Sequence, residues 1–263
     1  MAGGDGLVKV ALTVAGSDSG GGAGVQADLK TFAALGVYGT SAITAITVQN
    51  TLGVRRVSPL APDLAAAQIE AVREDFDVAA VKIGMLATPA IAEAVGAAVA
   101  GLRTIYDPVM VASSGDALMA EGFVAASLRL AQQVDLATPN LAEAARWLGA
   151  QPAQSEAEMA AQGRALLALG VKAVLMKGGH LPGKAVDILL TPQGVRRFAG
   201  PRIESENLHG TGCVLSSALA ALIARGSELP EAVERARSFV RRAIEAGRDL
   251  KLGKGSGPLI PIP

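Results

Sequence analysis

The chain has 263 residues, half of them apolar, and its 24 basic side chains balance 24 acidic ones. A balanced charge and only 3% aromatic residues argue against nucleic acid as the main partner. One cysteine excludes an intrachain disulfide and a multi-cysteine metal site, and only two histidines argue against a zinc centre.

The pattern in chain order is one of short apolar strands alternating with longer amphipathic helices. Residues 8–14 read as a strand, followed by a glycine turn and a helix over 23–35 with Val25, Leu29 and Phe32 on one face and Gly36 as its stop. Residues 41–48 predict the next strand, and 63–75 a helix preceded by Pro62. Strands follow at 78–83, 104–106 and 135–137, with alanine-rich helical segments between them. Ser155 and Glu158 have capping-box spacing for a helix ending near Gly170. A buried strand at 173–176 precedes two strands, 185–190 and 196–199, that pair around Pro192-Gln193-Gly194. Helices over 212–225 and from about 230 to 250 close the chain.

This alternation implies an α/β fold with a mostly parallel sheet covered on both faces. No composition shift or linker divides the chain, so residues 1–263 read as one domain, with 1–6 glycine-rich and flexible. Those first residues lack an apolar signal core, and no apolar run is long enough to span a bilayer, so the expectation is a soluble, cytoplasmic protein.

The polar and glycine breaks fall at the carboxyl ends of the predicted strands: Gly16-Ser17-Asp18, Gln49-Asn50, Lys82 to Met85, Asp107-Pro108, Pro139-Asn140 and Lys177-Gly178-Gly179. Open α/β sheets bind ligands along that edge. Gly22, Gly24 and Ala27 match a dinucleotide fingerprint, but no acidic residue lies between Asp28 and Asp63 to hold a ribose, which rejects a nicotinamide enzyme. Residues 178–184 nearly match a P-loop. Ala185 replaces its Ser or Thr, and a strand-like run follows where a helix is required.

The strongest motif is Gly210-Thr211-Gly212-Cys213 at the start of an apolar helix. Amides at a helix N-terminus attract an anion, and the same field is expected to lower the pKa of Cys213. Lys177 can neutralise phosphate or snorkel from a buried strand. Asn140 and Glu143 fit a helix cap, and equally a site where Glu143 holds Mg²⁺ through water. Asp107 ends its strand before a proline, a position that seldom serves as a cap. His209 reads as a structural polar residue.

The blocks AGSDSGGGAGVQADLKTFAALGVYG, ITVQNT, KIGML, TPNLAEA, VLMKGGH and HGTGC, in this order, make the chain resemble the bacterial hydroxymethylpyrimidine/phosphomethylpyrimidine kinases of thiamine biosynthesis, in the ribokinase superfamily. The resemblance covers nearly the whole chain. It implies a three-layer α/β/α fold, a homodimer, and ATP with Mg²⁺ phosphorylating a hydroxymethyl pyrimidine and then its monophosphate. It places the pyrimidine on Gln49, in a pocket of Gly16, Ala23, Asp28, Met85 and Val109, and makes residues 210–213 the anion hole. ATP is expected at Lys177, Asn140 and Asp107, and the metal at Glu143.

By this resemblance a deprotonated Cys213 would accept the substrate proton, the amides of Thr211, Gly212 and Cys213 would steady the transferring group, and Asp28 could steer the hydroxyl. Two residues of the first loop, Ser19-Gly20, stand where the family has Pro-Ser, and Leu208 stands where it commonly has Thr. Pyridoxal kinase and a non-catalytic binding domain remain the alternative readings.

Overall fold

The computed structural model describes residues 8–111, 115, 118–179 and 181–261. The segment 1–6 lies outside the described residues, as does His180. Strands β1 (Val10–Asp18), β2 (Tyr38–Asn50), β3 (Gly53–Pro59), β4 (Val78–Ile83), β5 (Thr104–Tyr106), β6 (Leu136–Ala137), β7 (Val174–Lys177), β8 (Ala185–Thr191) and β9 (Gly194–Gly200) form one sheet. Their order is β3-β2-β1-β4-β5-β6-β7-β8-β9. The six central strands are parallel, while β3, β8 and β9 pair antiparallel at the edges.

Helices α1 (Gly24–Ala34), α7 (Thr211–Ala224) and α8 (Leu229–Gly247) share one apolar core, with Phe32, Leu219 and Phe239 against Ala11, Ala80 and Leu175. Helices α2 (Pro62–Asp75), α3 (Pro89–Ala98), α4 (Phe123–Gln133), α5 (Leu141–Leu148) and α6 (Glu156–Ala168) share the other, with Ile69, Ile91 and Leu130 against Leu12, Val14 and Val81. Ala11 and Leu12 face opposite cores because side chains alternate along a strand. All residues from Val214 to Ala224 are buried, which is why α7 is apolar all round rather than striped.

Local signals act largely as expected. Gly36, at φ 69°, follows α1, and β8 and β9 pair through the turn at Pro192 and Gln193. Ser155 caps α6 by accepting from the Glu158 N–H at 3.2 Å, but the Glu158 carboxylate accepts from Gln154 N–H, one residue beyond the position a capping box needs. Two differences matter for the site. β2 runs on to Asn50 and folds back as β3, an edge strand whose Arg55-Arg56 pair breaks the alternation that reveals strands. The β1–β2 register shifts at Gly16, where an added Cβ would lie 2.7 Å from Met85 Cε.

Candidate active site

A cavity of about 930 Å³ opens where the carboxyl ends of the parallel strands meet α7. It is lined by Gly16, Ala23, Gln49, Met85, Val109, Asp107, Asn140, Glu143, Lys177 and residues 210–213. Every site residue expected from the sequence therefore lines one space, with the exception of Asp28.

Gly210 caps α7 at φ 87°, and a side chain there would collide with the Gly22 carbonyl, so only glycine lets this loop close on the first one. Neither α1 nor α7 carries a side-chain cap. The Thr211 N–H donates back to the Leu208 carbonyl at 3.3 Å, and its hydroxyl donates to the same oxygen at 2.7 Å. Thr211 thus closes the turn, contrary to its expected place among the anion-binding amides. The amides of Gly212 and Cys213 have no backbone acceptor among the described residues.

Cys213 is half-buried at the cavity wall and packs on the aliphatic core beneath. Burial pushes its thiol up to about 11, the carboxylates of Asp28 and Asp107 adding to the rise; Lys82 and a hydrogen bond from Gly24 N–H oppose it. The expected thiolate is therefore overturned. Desolvation sets the direction of the shift, and a thiol with a pKa near 11 stays neutral at pH 7.

Beside this loop, Lys177 Nζ lies 2.5 Å from Asp107 Oδ1 and 3.9 Å from Glu143 Oε2. A Cβ on Gly212 would stand 3.2 Å from Asp107 Oδ2 and 3.4 Å from Lys177 Nζ, so the ion pair borders the anion loop directly. Burial works against the Lys177 charge, but Asp107 and Glu143 outweigh it and raise its pKa. Asn140 and Glu143 form the full capping box of α5, at 2.7 and 2.9 Å. Burial lifts the Glu143 carboxyl to about 7 against the pull of Lys177.

Asp28 is fully buried and does not line the cavity. Its oxygens accept from Thr13 Oγ1 and Ser217 Oγ, both at 2.5 Å, and from Lys82 Nζ at 2.7 Å. The expected substrate contact is thus corrected: Asp28 holds Lys82, a fully buried lysine that borders the cavity. Asp28, reinforced by Asp107, offsets desolvation and keeps that lysine charged. The sequence assigns Lys82 no role, although a lysine inside the apolar run Val78–Ile83 is the signal that could have found it.

At the opposite end, Asp18 accepts from the amides of Gly20, Gly22 and Ala23 at 2.8, 3.0 and 2.9 Å. His209 Nε2 lies 3.1 Å from Asp18 Oδ2, and one end of the Gln49 amide lies 3.2 Å from the same nitrogen. His209 does have a structural role, as expected, but it plays it inside the site.

Comparison with known proteins identifies the family and the fold. The family model described as phosphomethylpyrimidine kinase matches residues 18–260. A hydroxymethylpyrimidine/phosphomethylpyrimidine kinase of Rhizobium meliloti is 50% identical over 257 residues, covering 96% of this chain and 97% of that protein. The fold is similar to a Bacillus subtilis pyridoxal kinase solved as an ADP complex: TM-score 0.89, 34% identity, 97% of this chain and 98% of that one. It is also similar to a Clostridium difficile phosphomethylpyrimidine kinase: TM-score 0.79, 41% identity, 90% of this chain and 99% of that one. The expected three-layer ribokinase-like fold is therefore the observed one. With the family model matching residues 18–260 and relatives matched over nearly full length, the chain belongs to the phosphomethylpyrimidine kinase family.

Proposed function

We propose that this chain phosphorylates the hydroxymethyl group of 4-amino-5-hydroxymethyl-2-methylpyrimidine with ATP, and then its monophosphate, in thiamine biosynthesis. It does so as a single cytoplasmic domain, assembled as a homodimer. The observation that carries this reading is the convergence on one cavity of the Gly212 and Cys213 amides, the Lys177–Asp107 pair and the Gln49 amide. The near-full-length relative at 50% identity supports the choice of substrate.

The phosphates of ATP sit against the open amides and Lys177, where the positive end of α7 and a fixed ammonium offset their charge. Asn140 lines the same end and is in place to contact the nucleotide. No group of three or more His, Cys, Asp or Glu that could hold a metal occurs among the described residues. Asp107 and Glu143 do supply the hard oxygen donors that suit Mg²⁺ held mainly by phosphate and water. Bound there, Mg²⁺ would neutralise charge on the phosphates.

Phosphoryl transfer passes through a loose transition state that depends more on alignment than on prior deprotonation. A neutral Cys213 fits that demand: its sulfur orients the alcohol toward the γ-phosphorus. The bond to the ADP oxygen breaks as the new O–P bond forms, and the alcohol proton passes late to an oxygen of the transferred phosphoryl group, with Lys82 beneath to offset negative charge. Met85 and Val109 wall the ring, Gly16 and Ala23 admit it by their small size, and Gln49 reads its polar edge.

The test is steady-state turnover of the pyrimidine and of pyridoxal, side by side, with Mg·ATP. A preference for pyridoxal, which the likeness to the Bacillus subtilis enzyme favours as the second reading, would replace the first. No ATP turnover with either alcohol would leave a binding domain.

A further inference from the structure

His209 and Gln49 meet nitrogen to nitrogen as placed, at 3.2 Å, and the surrounding network resolves the conflict in only one way. Asp18 is nearly buried, and three backbone amides donate to its carboxylate. It can therefore only accept from a fourth partner, and that partner is His209 Nε2, 3.1 Å from Oδ2. Nε2 must carry a proton. The end of the Gln49 amide that faces it must then be the oxygen, since the two ends of a side-chain amide are nearly isosteric and their neighbours decide between them. The other end, now NH₂, faces Thr47 Oγ1 at 3.2 Å, and Thr47 spends its own proton on the Ser17 carbonyl at 3.0 Å. Every donor in this chain of groups then meets an acceptor.

We infer that His209, anchored on Asp18, is a specificity-determining positioning residue that fixes which way round the Gln49 amide presents itself to the ring. The inference rests on the pyrimidine reading above. An amide held this way offers an acceptor beside a donor, which pairs with a ring carrying an exocyclic amino group next to a ring nitrogen. A 4-oxo ring presents the opposite pair, a carbonyl beside an N–H. An unrestrained glutamine would flip to suit it, whereas one held by His209 leaves like groups facing each other. The imidazole packs directly on the first loop, where a Cβ on Gly22 would strike the ring, and the His209 backbone N–H donates to the Gly257 carbonyl at 3.2 Å.

The experiment compares kcat/KM for the 4-amino pyrimidine and its 4-oxo analogue in the wild type, His209→Leu and His209→Gln. In His209→Leu the amino-over-oxo preference should fall at least about 10-fold, mainly through KM, the size of one buried hydrogen bond. His209→Gln, which restores an N–H near the position of Nε2, should recover most of it. An unchanged preference in folded His209→Leu would overturn the inference. Nitrogen-15 spectra of the ligand-free wild type give an independent decision, since the chain has only two histidines to assign. With the imidazole neutral, His209 is expected as the Nε2–H tautomer, and the Nδ1–H tautomer would sink the argument. A wild type that phosphorylates neither pyrimidine would defeat the proposed function alone, because the tautomer would still decide what His209 does to Gln49.

Discussion

At the Lys177 end of the cavity, whole charges are buried against one another. At the Gln49 end, a single carboxylate is tied to backbone amides, an imidazole and a side-chain amide. The Lys82–Asp28 pair is wholly inaccessible to water, and Lys177 is pressed between Asp107 and Glu143. Such pairs store strong fields, but each partner depends on the other for its place in the interior. Asp18, by contrast, spreads one charge over three amides and His209, which gives direction rather than field. Transfer of a charged group calls for the first kind of construction, and telling one neutral ring from another calls for the second.

The comparison breaks most visibly at the buried pair. Lys82→Met strands Asp28 in the interior, so unfolding in urea should show a loss of about 3–5 kcal/mol. Lys82→Met combined with Asp28→Leu should recover most of that stability without restoring turnover. A single variant as stable as wild type would mean that the pair is not held as described.

Gly212→Ala separates catalysis from folding at the same end. Its methyl would enter the space beside Asp107 and Lys177, so kcat/KM for ATP should fall about 100-fold from misplacement alone. Melting temperature should hold, because alanine favours the first turn of α7. Full activity would place the phosphates elsewhere.

Cys213 sharpens the same contrast through pH. With its pKa near 11, the thiol stays neutral from pH 7 to 9. If a thiolate were the base, kcat would climb about tenfold per unit across that range; an orienting thiol predicts a flat profile and Cys213→Ser within about 10-fold of wild type. A steep alkaline rise, or abolished turnover in folded Cys213→Ser, would restore the base.

The smallest effect belongs to Asp18. Burial alone would raise its pKa, but the His209 hydrogen bond and the amides of Gly20 and Ala23 prevail and hold it below the ordinary 3.8. A depressed carboxyl adds stability above its unfolded pKa and loses it as pH falls through the folded one. Asp18→Asn should therefore be about 1 kcal/mol less stable at pH 7, with the gap to wild type narrowing below pH 3.8. A gap that does not change with pH would show that the carboxylate charge contributes nothing.

Read along the chain, the residues themselves determined the strand–helix alternation, the β8–β9 hairpin, the α5 capping box and the glycine loop before Cys213. Each is written in neighbours a few positions apart, where propensity, capping and turn chemistry act. The edge strand β3 escaped because its charged residues obey no period. The site escaped in proportion to sequence distance: Asp28 lies 54 residues from Lys82, and Asp18 lies 191 from His209. Only the folded sheet brings such groups within hydrogen-bonding reach, and only burial, by desolvating Cys213 more than Lys82 and the Gly24 N–H offset, decided that the reactive-looking cysteine rests as a neutral thiol.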